Sequence, residues 1–230
     1  MTADGVELTD MWVVDYKDGA IVQQLHQSNT DDNWGAPTMS LTLGTHHIYF
    51  LASRGQNPTY TNGVVTWTKP LDAFYLDYEV VVVKTSNGNR AVTLNRVATK
   101  MDLHINDAIP AGTTTISITP TTWYTGWNML TATPVAAPSN YSVTLNIPKS
   151  YEGFAGAYIS AWSLSTADEW TTDISIESKA GETVNASALI EHAPFKANRA
   201  TIYRGNLYTN SSENSVTLQT EWLTSYEDVY

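Results

Sequence analysis

At 230 residues, with a formal net charge of −11, a pI near 4.7 and only 12 Lys and Arg, the chain lacks the clustered cations that nucleic acid or an anionic membrane surface requires, which excludes both as partners. It has no cysteine, so neither disulfides nor zinc–thiolate sites support it, and its length is sufficient for a core without them. Eight Trp and thirteen Tyr against four Phe favour rings that combine an apolar body with a hydrogen-bonding edge, as half-exposed sheets and interfaces use.

The first predicted element is a hairpin. Met11 to Tyr16 (MWVVDY) and Ile21 to Leu25 (IVQQL) flank Asp18-Gly19, a tight-turn signal. Ser28 to Pro37 (SNTDDNWGAP) is a loop by composition. Leu41 to Leu51 then gives a strand pair or one long kinked strand, with Gly44 marking the bend. Ser53 to Gly63 reads as a loop through Gly55, Asn57-Pro58 and Asn62-Gly63, and Val64 to Thr68 as a short strand ended by Pro70.

The stretch Tyr75 to Pro110 organises the prediction. Tyr75, Leu76, Tyr78 and Val80 to Val83 are dense enough in β-branched and aromatic residues for a strand buried on both faces. Asn87-Gly88 follows, which predicts a type I′ hairpin returning through Val92 and Leu94. The apolar parity then changes to Val97, Met101, Leu103 and Ile105, so an irregularity is expected near Asn95 and Arg96.

Beyond Pro110, Ile116 and Ile118 alternate in Thr113 to Thr119, and Pro120 closes that strand. Thr131 to Ser139 (TATPVAAPS) is the expected boundary between domains. In the second half Tyr141, Val143, Leu145 and Ile147 alternate, Tyr158 to Leu164 follows, and Ile174 and Ile176 precede a turn at Lys179 to Glu182. Thr183 to Ile190 makes either a short helix or a connecting strand. Ala200 to Tyr208 and Ser215 to Trp222 form the closing pair. The class is all-β, with two antiparallel β-sandwich domains expected at 1–135 and 136–230.

No constellation for catalysis stands out. The five histidines are His26, His46, His47, His104 and His192; none has metal-binding spacing, and the adjacent His46 and His47 point to opposite faces of a strand. Asp31-Asp32 and Asp168-Glu169 are sequence neighbours, which does not set two carboxyl groups across a cleft. Asp31, Asp32 and Asn33 could supply oxygen ligands to Ca²⁺ but lack the glycine and distal glutamate of a regular calcium loop. No cofactor is expected. N-glycosylation patterns begin at Asn140, Asn185 and Asn210. No window approaches the roughly 18 apolar residues of a membrane helix, and Met1 to Gly5 is too polar for a signal peptide. The chain is therefore expected to be either cytosolic or the mature form of an exported protein. The aromatics leave sugar binding open: a secreted carbohydrate-binding sandwich would use Trp123, Tyr124 and Trp127, or Trp162 and Trp170, as exposed rings.

Four stretches carry a family resemblance: Leu8 to Gln24 (LTDMWVVDYKDGAIVQQ), Gly44 to Gly55 (GTHHIYFLASRG), Leu94 to Pro110 (LNRVATKMDLHINDAIP) and Asn198 to Tyr208 (NRATIYRGNLY). Together they resemble the fimbrillin-like subunits that build, cap or anchor type V pili. The resemblance implies two sandwiches of transthyretin-like, Greek-key topology and export as a lipoprotein to the outer membrane and cell surface. It places the lipid-bearing cysteine upstream of this region, and it implies a structural or adhesive role without catalysis. It also implies other fimbrial subunits as partners, through strand donation. The chain is shorter than the main shaft subunits of that family, which leans toward an anchor, tip or accessory role. A donated strand burying about four apolar side chains at about 1.5–3 kcal/mol each would gain about 6–12 kcal/mol before ordering costs. Clean alternation and terminal position make Val216, Leu218 and Trp222 the candidate assembly strand.

Overall fold

The computed structural model describes residues 2–3, 6–209 and 217–222. Its strands in chain order are β1 (Thr2–Ala3), β2 (Val6–Glu7), β3 (Asp10–Lys17), β4 (Ala20–Ser28), β5 (Gly44–Gln56), β6 (Thr59–Thr61), β7 (Val64–Thr66), β8 (Lys69–Val82), β9 (Asn95–Arg96) and β10 (Ala98–Ala108). They continue as β11 (Thr115–Pro120), β12 (Tyr124–Asn128), β13 (Thr133–Ala136), β14 (Val143–Asn146), β15 (Ala155–Leu164), β16 (Trp170–Ala180), β17 (Thr183–Phe195), β18 (Arg199–Gly205) and β19 (Thr217–Trp222). Among the described residues the helical content is one 3-10 turn at Lys149–Tyr151, so the all-β class holds.

The chain forms two compact units. One comprises Met1–Ala98, Thr125–Val135 and Leu164–Thr166, the other Thr99–Tyr124, Ala136–Ser163 and Ala167–Tyr230. The polypeptide thus passes between units after residues 98, 124, 135, 163 and 166.

The first unit holds a five-stranded sheet ordered β4-β3-β5-β8-β9 and a four-stranded sheet ordered β13-β12-β7-β6. Asp18 and Gly19 take φ of 51° and 84°, the left-handed pair a type I′ turn needs, so the β3–β4 hairpin forms as expected. Asn62-Gly63 turns β6 into β7 in the same way, with φ of 48° and 80°. β3 is buried on both faces. Tyr75 links the two sheets: its ring lies 5.4 Å from that of Trp127, and its hydroxyl donates to the Met129 carbonyl at 2.6 Å. Burial pushes that phenol's pKa well above that of an ordinary tyrosine.

Four expectations are corrected here. The strand Gly44–Gln56 runs unbroken through Ser53 to Gly55, residues expected in a loop, because those residues pair with Ala73, Asp72 and Pro70 of β8. Pro70 accordingly lies inside β8 and does not end a strand. The hairpin at Asn87-Gly88 does not form: Val83 to Leu94 has no strand, and neither Asn87 nor Gly88 takes positive φ. With it goes the strand buried on both faces, since β8 alternates half-buried and exposed beyond Tyr75, with Val81 57% and Val83 79% exposed. The irregularity expected near Asn95 and Arg96 is present as a change of sheet, β9 ending at Arg96 and β10 opening at Ala98.

The second unit is a sandwich of two four-stranded sheets, β15-β10-β18-β19 and β14-β11-β16-β17. Met101, Leu103, Ile105, Ile159 and Tyr203 from one sheet meet Ile116, Ile118, Ile174, Ile176 and Phe195 from the other in a single core. The predicted alternation of Ile116/Ile118 and Ile174/Ile176 is therefore what fills it. Thr183–Phe195 is strand, which resolves the helix-or-strand alternative in favour of β17, paired antiparallel with β16 around Gly181 at φ 60°. One pairing departs from an all-antiparallel sheet: β10 and β18 run parallel from Lys100↔Ala200 to Ile105↔Gly205. Parallel neighbours need a long crossover, and the chain supplies it by building the facing sheet's strands between them.

Candidate functional site

The candidate assembly strand falls at a sheet edge. β19 pairs antiparallel with β18, setting Leu218 opposite Tyr203 and Trp222 opposite Arg199, and it is the outermost strand of its sheet. Val216 lies outside the described residues. An edge strand is held on one side only, and its backbone groups on the other side are a template for another chain.

The segment leading out of β18 is fastened by a carboxylate. Asp107, near the end of β10, accepts the backbone N–H groups of Leu207 at 3.0 Å, Tyr208 at 2.6 Å and Thr209 at 2.8 Å. Burial alone would raise this carboxyl, but the hydrogen bonds from Leu207, Thr209 and Tyr208 outweigh it and hold the group below the ordinary aspartate value. A depressed carboxyl stabilises the fold above its unfolded value, and that stabilisation is lost as pH falls through the folded value. Asp107→Asn is accordingly expected to lose about 1.5–3 kcal/mol at neutral pH, reduced by the site's partial exposure. The loss should shrink on acidification below about pH 4, as read from urea midpoints across a pH series.

Beside this segment is an apolar cleft of about 30 Å³, lined by Leu103, Ile105, Ile176, Ile190, Tyr203 and Leu207. That volume admits one or two waters and not a sugar ring. In the first unit a shallower depression of about 280 Å³ is lined by Trp12, Gln24, Leu25, His26, Pro58 and Tyr60. The indole of Trp12 is already stacked by His26 at 4.8 Å.

The aromatics expected to form a sugar platform are dispersed into packing. Trp123 and Trp127 are 3% and 2% exposed, so neither presents a ring face to solvent; this corrects the expectation of exposed rings at those positions. Trp123 donates its indole N–H to the Trp162 carbonyl at 2.8 Å and meets Phe195 edge-on at 5.1 Å. Tyr124 and Trp170 are half-buried against each other at 4.9 Å, and Trp170 stacks on Phe195. Trp162 is half-buried with the Lys100 ammonium 5.5 Å from its ring. Trp127 lies in β12 and Trp123 just before it; Thr125, Gly126 and Trp127 are all buried, so this burial is set by what packs against the strand and not by alternation.

Polar clusters exist that sequence reasoning missed. On β10, Asp102 is 5% exposed and accepts hydrogen bonds from Tyr158 at 2.7 Å and from Ser160, with Lys100 Nζ at 2.9 Å. Burial opposes its charge, yet these donors together keep its carboxyl below the usual range. His104 packs edge-on to Tyr158 at 4.8 Å and is pushed down, first by burial and then by the Arg204 cation. In the first unit Asp72 and Arg96 form a buried pair, and Asp15 and His46 another. The signal for the last was legible: a lone aspartate inside the apolar run Trp12-Val13-Val14-Asp15-Tyr16 must find a partner. Asp31 accepts the Ser28 N–H at 2.8 Å as a loop cap. Among the described residues no three carboxylate or imidazole groups converge in a metal-binding arrangement, and no helix is long and apolar enough to cross a membrane.

No family model and no curated protein sequence matches the chain. Solved structures do. A putative polysaccharide binding protein from Bacteroides thetaiotaomicron superposes with a TM-score of 0.56 at 8% identity, covering 87% of this chain and 84% of the other. A putative adhesin from Bacteroides ovatus gives 0.55 at 10% identity over 80% and 76%. The fimbrial anchor protein Mfa2 from Porphyromonas gingivalis gives 0.50 at 8% identity over 92% and 87%. The chain therefore shares the fold of these solved structures, and its all-β sandwich class is the one expected.

Proposed function

We propose that the chain is a fimbrillin-like cell-surface subunit of the anchor, tip or accessory type, acting in pilus assembly and adhesion through β-strand contacts with other subunits. The observation that carries this reading is the fold shared with a fimbrial anchor protein over 92% of this chain and with a putative adhesin over 80% of it. The sandwich with β19 at its edge is compatible with strand exchange. In this reading the topology is transthyretin-like, an upstream lipidated cysteine holds the protein at the outer membrane, and the chain performs no catalysis. Val216, Leu218 and Trp222 mark the exchangeable strand.

The test is a chain ending at Asn214, expressed in cells lacking the intact protein. It is expected to reach the surface and remain folded by circular dichroism, yet to be missing from sheared fimbriae. Normal incorporation of the shortened chain would refute the strand assignment. The carbohydrate-binding alternative is weakened by the burial of Trp123 and Trp127; a glycan array showing a defined sugar bound by the isolated chain would restore it.

A further inference from the structure

Residues 29–43, between β4 and β5, cover one face of the five-stranded sheet. Trp34, Met39 and Leu41 rest on Leu8, Met11, Val13, Ile48 and Ala52. Pro37, Met39 and Leu41 are half-buried while Thr38 and Ser40 are exposed, the alternation of a strand, but among the described residues Pro37 to Leu41 has no hydrogen-bond partner. Apolar contact and the two ends hold this cover, and a segment so held sits at the low end of local stability.

At the near end, Gln27 clasps the loop through Asn33 O at 2.9 Å and Gly35 N at 3.2 Å. At the far end, Lys17 Nζ donates to Thr42 Oγ1 at 2.8 Å and to the Leu43 carbonyl, and His46 Nε2 meets the Thr42 carbonyl at 2.9 Å. Gly35 and Gly44, at φ 79° and 122°, bracket the span and give it hinges that residues with a Cβ resist. The other ring nitrogen of His46 faces Asp15 Oδ1 at 2.7 Å, and both side chains are 1% exposed. Both nitrogens thus face acceptors. A neutral imidazole has one N–H, so both contacts are hydrogen bonds only while the Asp15–His46 pair holds an additional proton.

We propose that residues 36–43 are a hinged cover latched by that proton. When the pair loses it, the remaining N–H stays with the buried Asp15 carboxylate, because an unpaired buried charge costs more than an unpaired carbonyl. The Thr42 carbonyl is then left without its imidazole donor, and the cover lifts from the apolar sheet face beneath. Lys17, two residues along β3, is a charged side chain at the same end. From the neighbouring strands, β8 sets Val80 opposite His46 and β4 sets Gln23 opposite Asp15, neither of them charged. The latch is independent of the assembly reading.

The absence of cysteine makes the test direct, since a single introduced thiol reports alone. M39C places it in the cover, A161C in the core of the second unit and S86C on an exposed loop. Thiol labelling rates, divided by the S86C rate at each pH, are expected to rise at least about tenfold for M39C from the acid to the alkaline end of the pH range in which the chain stays folded. The A161C thiol should stay protected throughout. Adding H46Q to M39C should remove the pH dependence. A flat M39C profile, a rise shared with A161C, or a rise that survives H46Q would each overturn the latch; the M39C profile alone decides it if H46Q does not fold.

Discussion

Replacing Arg96 with alanine is expected to cost about 3–5 kcal/mol of stability, the range for breaking one partner out of a buried ion pair. Arg96 Nε and its guanidinium NH2 group each reach an Asp72 carboxylate oxygen at 3.2 Å, and the two side chains are 9% and 2% exposed. The guanidinium also sits 4.8 Å from the Phe74 ring centre, so planar stacking and the paired donors both favour arginine over lysine here. Truncation would leave the Asp72 carboxylate buried without its counter-charge, at the point where β9 joins β8 through only Phe74↔Arg96 and Tyr75↔Asn95. Arg96→Lys should recover less than half of the loss. Urea unfolding followed through the tryptophans checks both variants. A midpoint for Arg96→Ala within the error of the parent would show that the pair contributes nothing.

Phe195→Ala is expected to be comparably damaging, at about 3–5 kcal/mol, whereas Phe154→Ala should stay within about 0.5 kcal/mol. Phe195 is fully buried. It receives the edge of Trp123 at 5.1 Å and stacks on Trp170 at 5.0 Å with an interplanar angle of 29°. Its removal opens a cavity among rings too large to collapse inward, and the aromatic contacts go with it. Phe154, 63% exposed beside Tyr151, has little to lose. Equal effects from the two substitutions would contradict the assigned packing.

The same contrast explains which elements sequence patterning reveals. Asp18-Gly19 and the turn at Gly181 were readable because each reverses the chain between strands that pair immediately on either side. Asn87-Gly88 carries an equally strong local preference and is not used. A two-residue turn there would set Tyr75 opposite Lys100, whereas the sheet sets it opposite Asn95. The return arm is fixed by non-local contacts: the Asp72–Arg96 pair, the Val97 N–H donating to Ala73 O at 2.9 Å, and Leu94 packed on the first unit's core. Together these outweigh a turn preference worth about 1 kcal/mol. Ring exposure was illegible for a related reason: Trp123 and Trp127 are core or surface depending on which strands lie across from them, and that is a tertiary fact. The strand Thr217–Trp222, by contrast, was visible as alternation, since the existence of a strand, unlike the identity of its neighbours, can be read from its own pattern.

The route of the polypeptide through the two units also bears on biosynthesis. The first unit needs residues 125–135 and 164–166 as well as 1–98, so during synthesis or export it stays incomplete until residue 166 has emerged, by which time more than half of the second unit's chain is still to come. Sheet edges in the earlier portion are left bare for that interval. A nascent chain of this kind depends on whatever shields it in transit, and neither half can be obtained intact by cutting the gene at a single point.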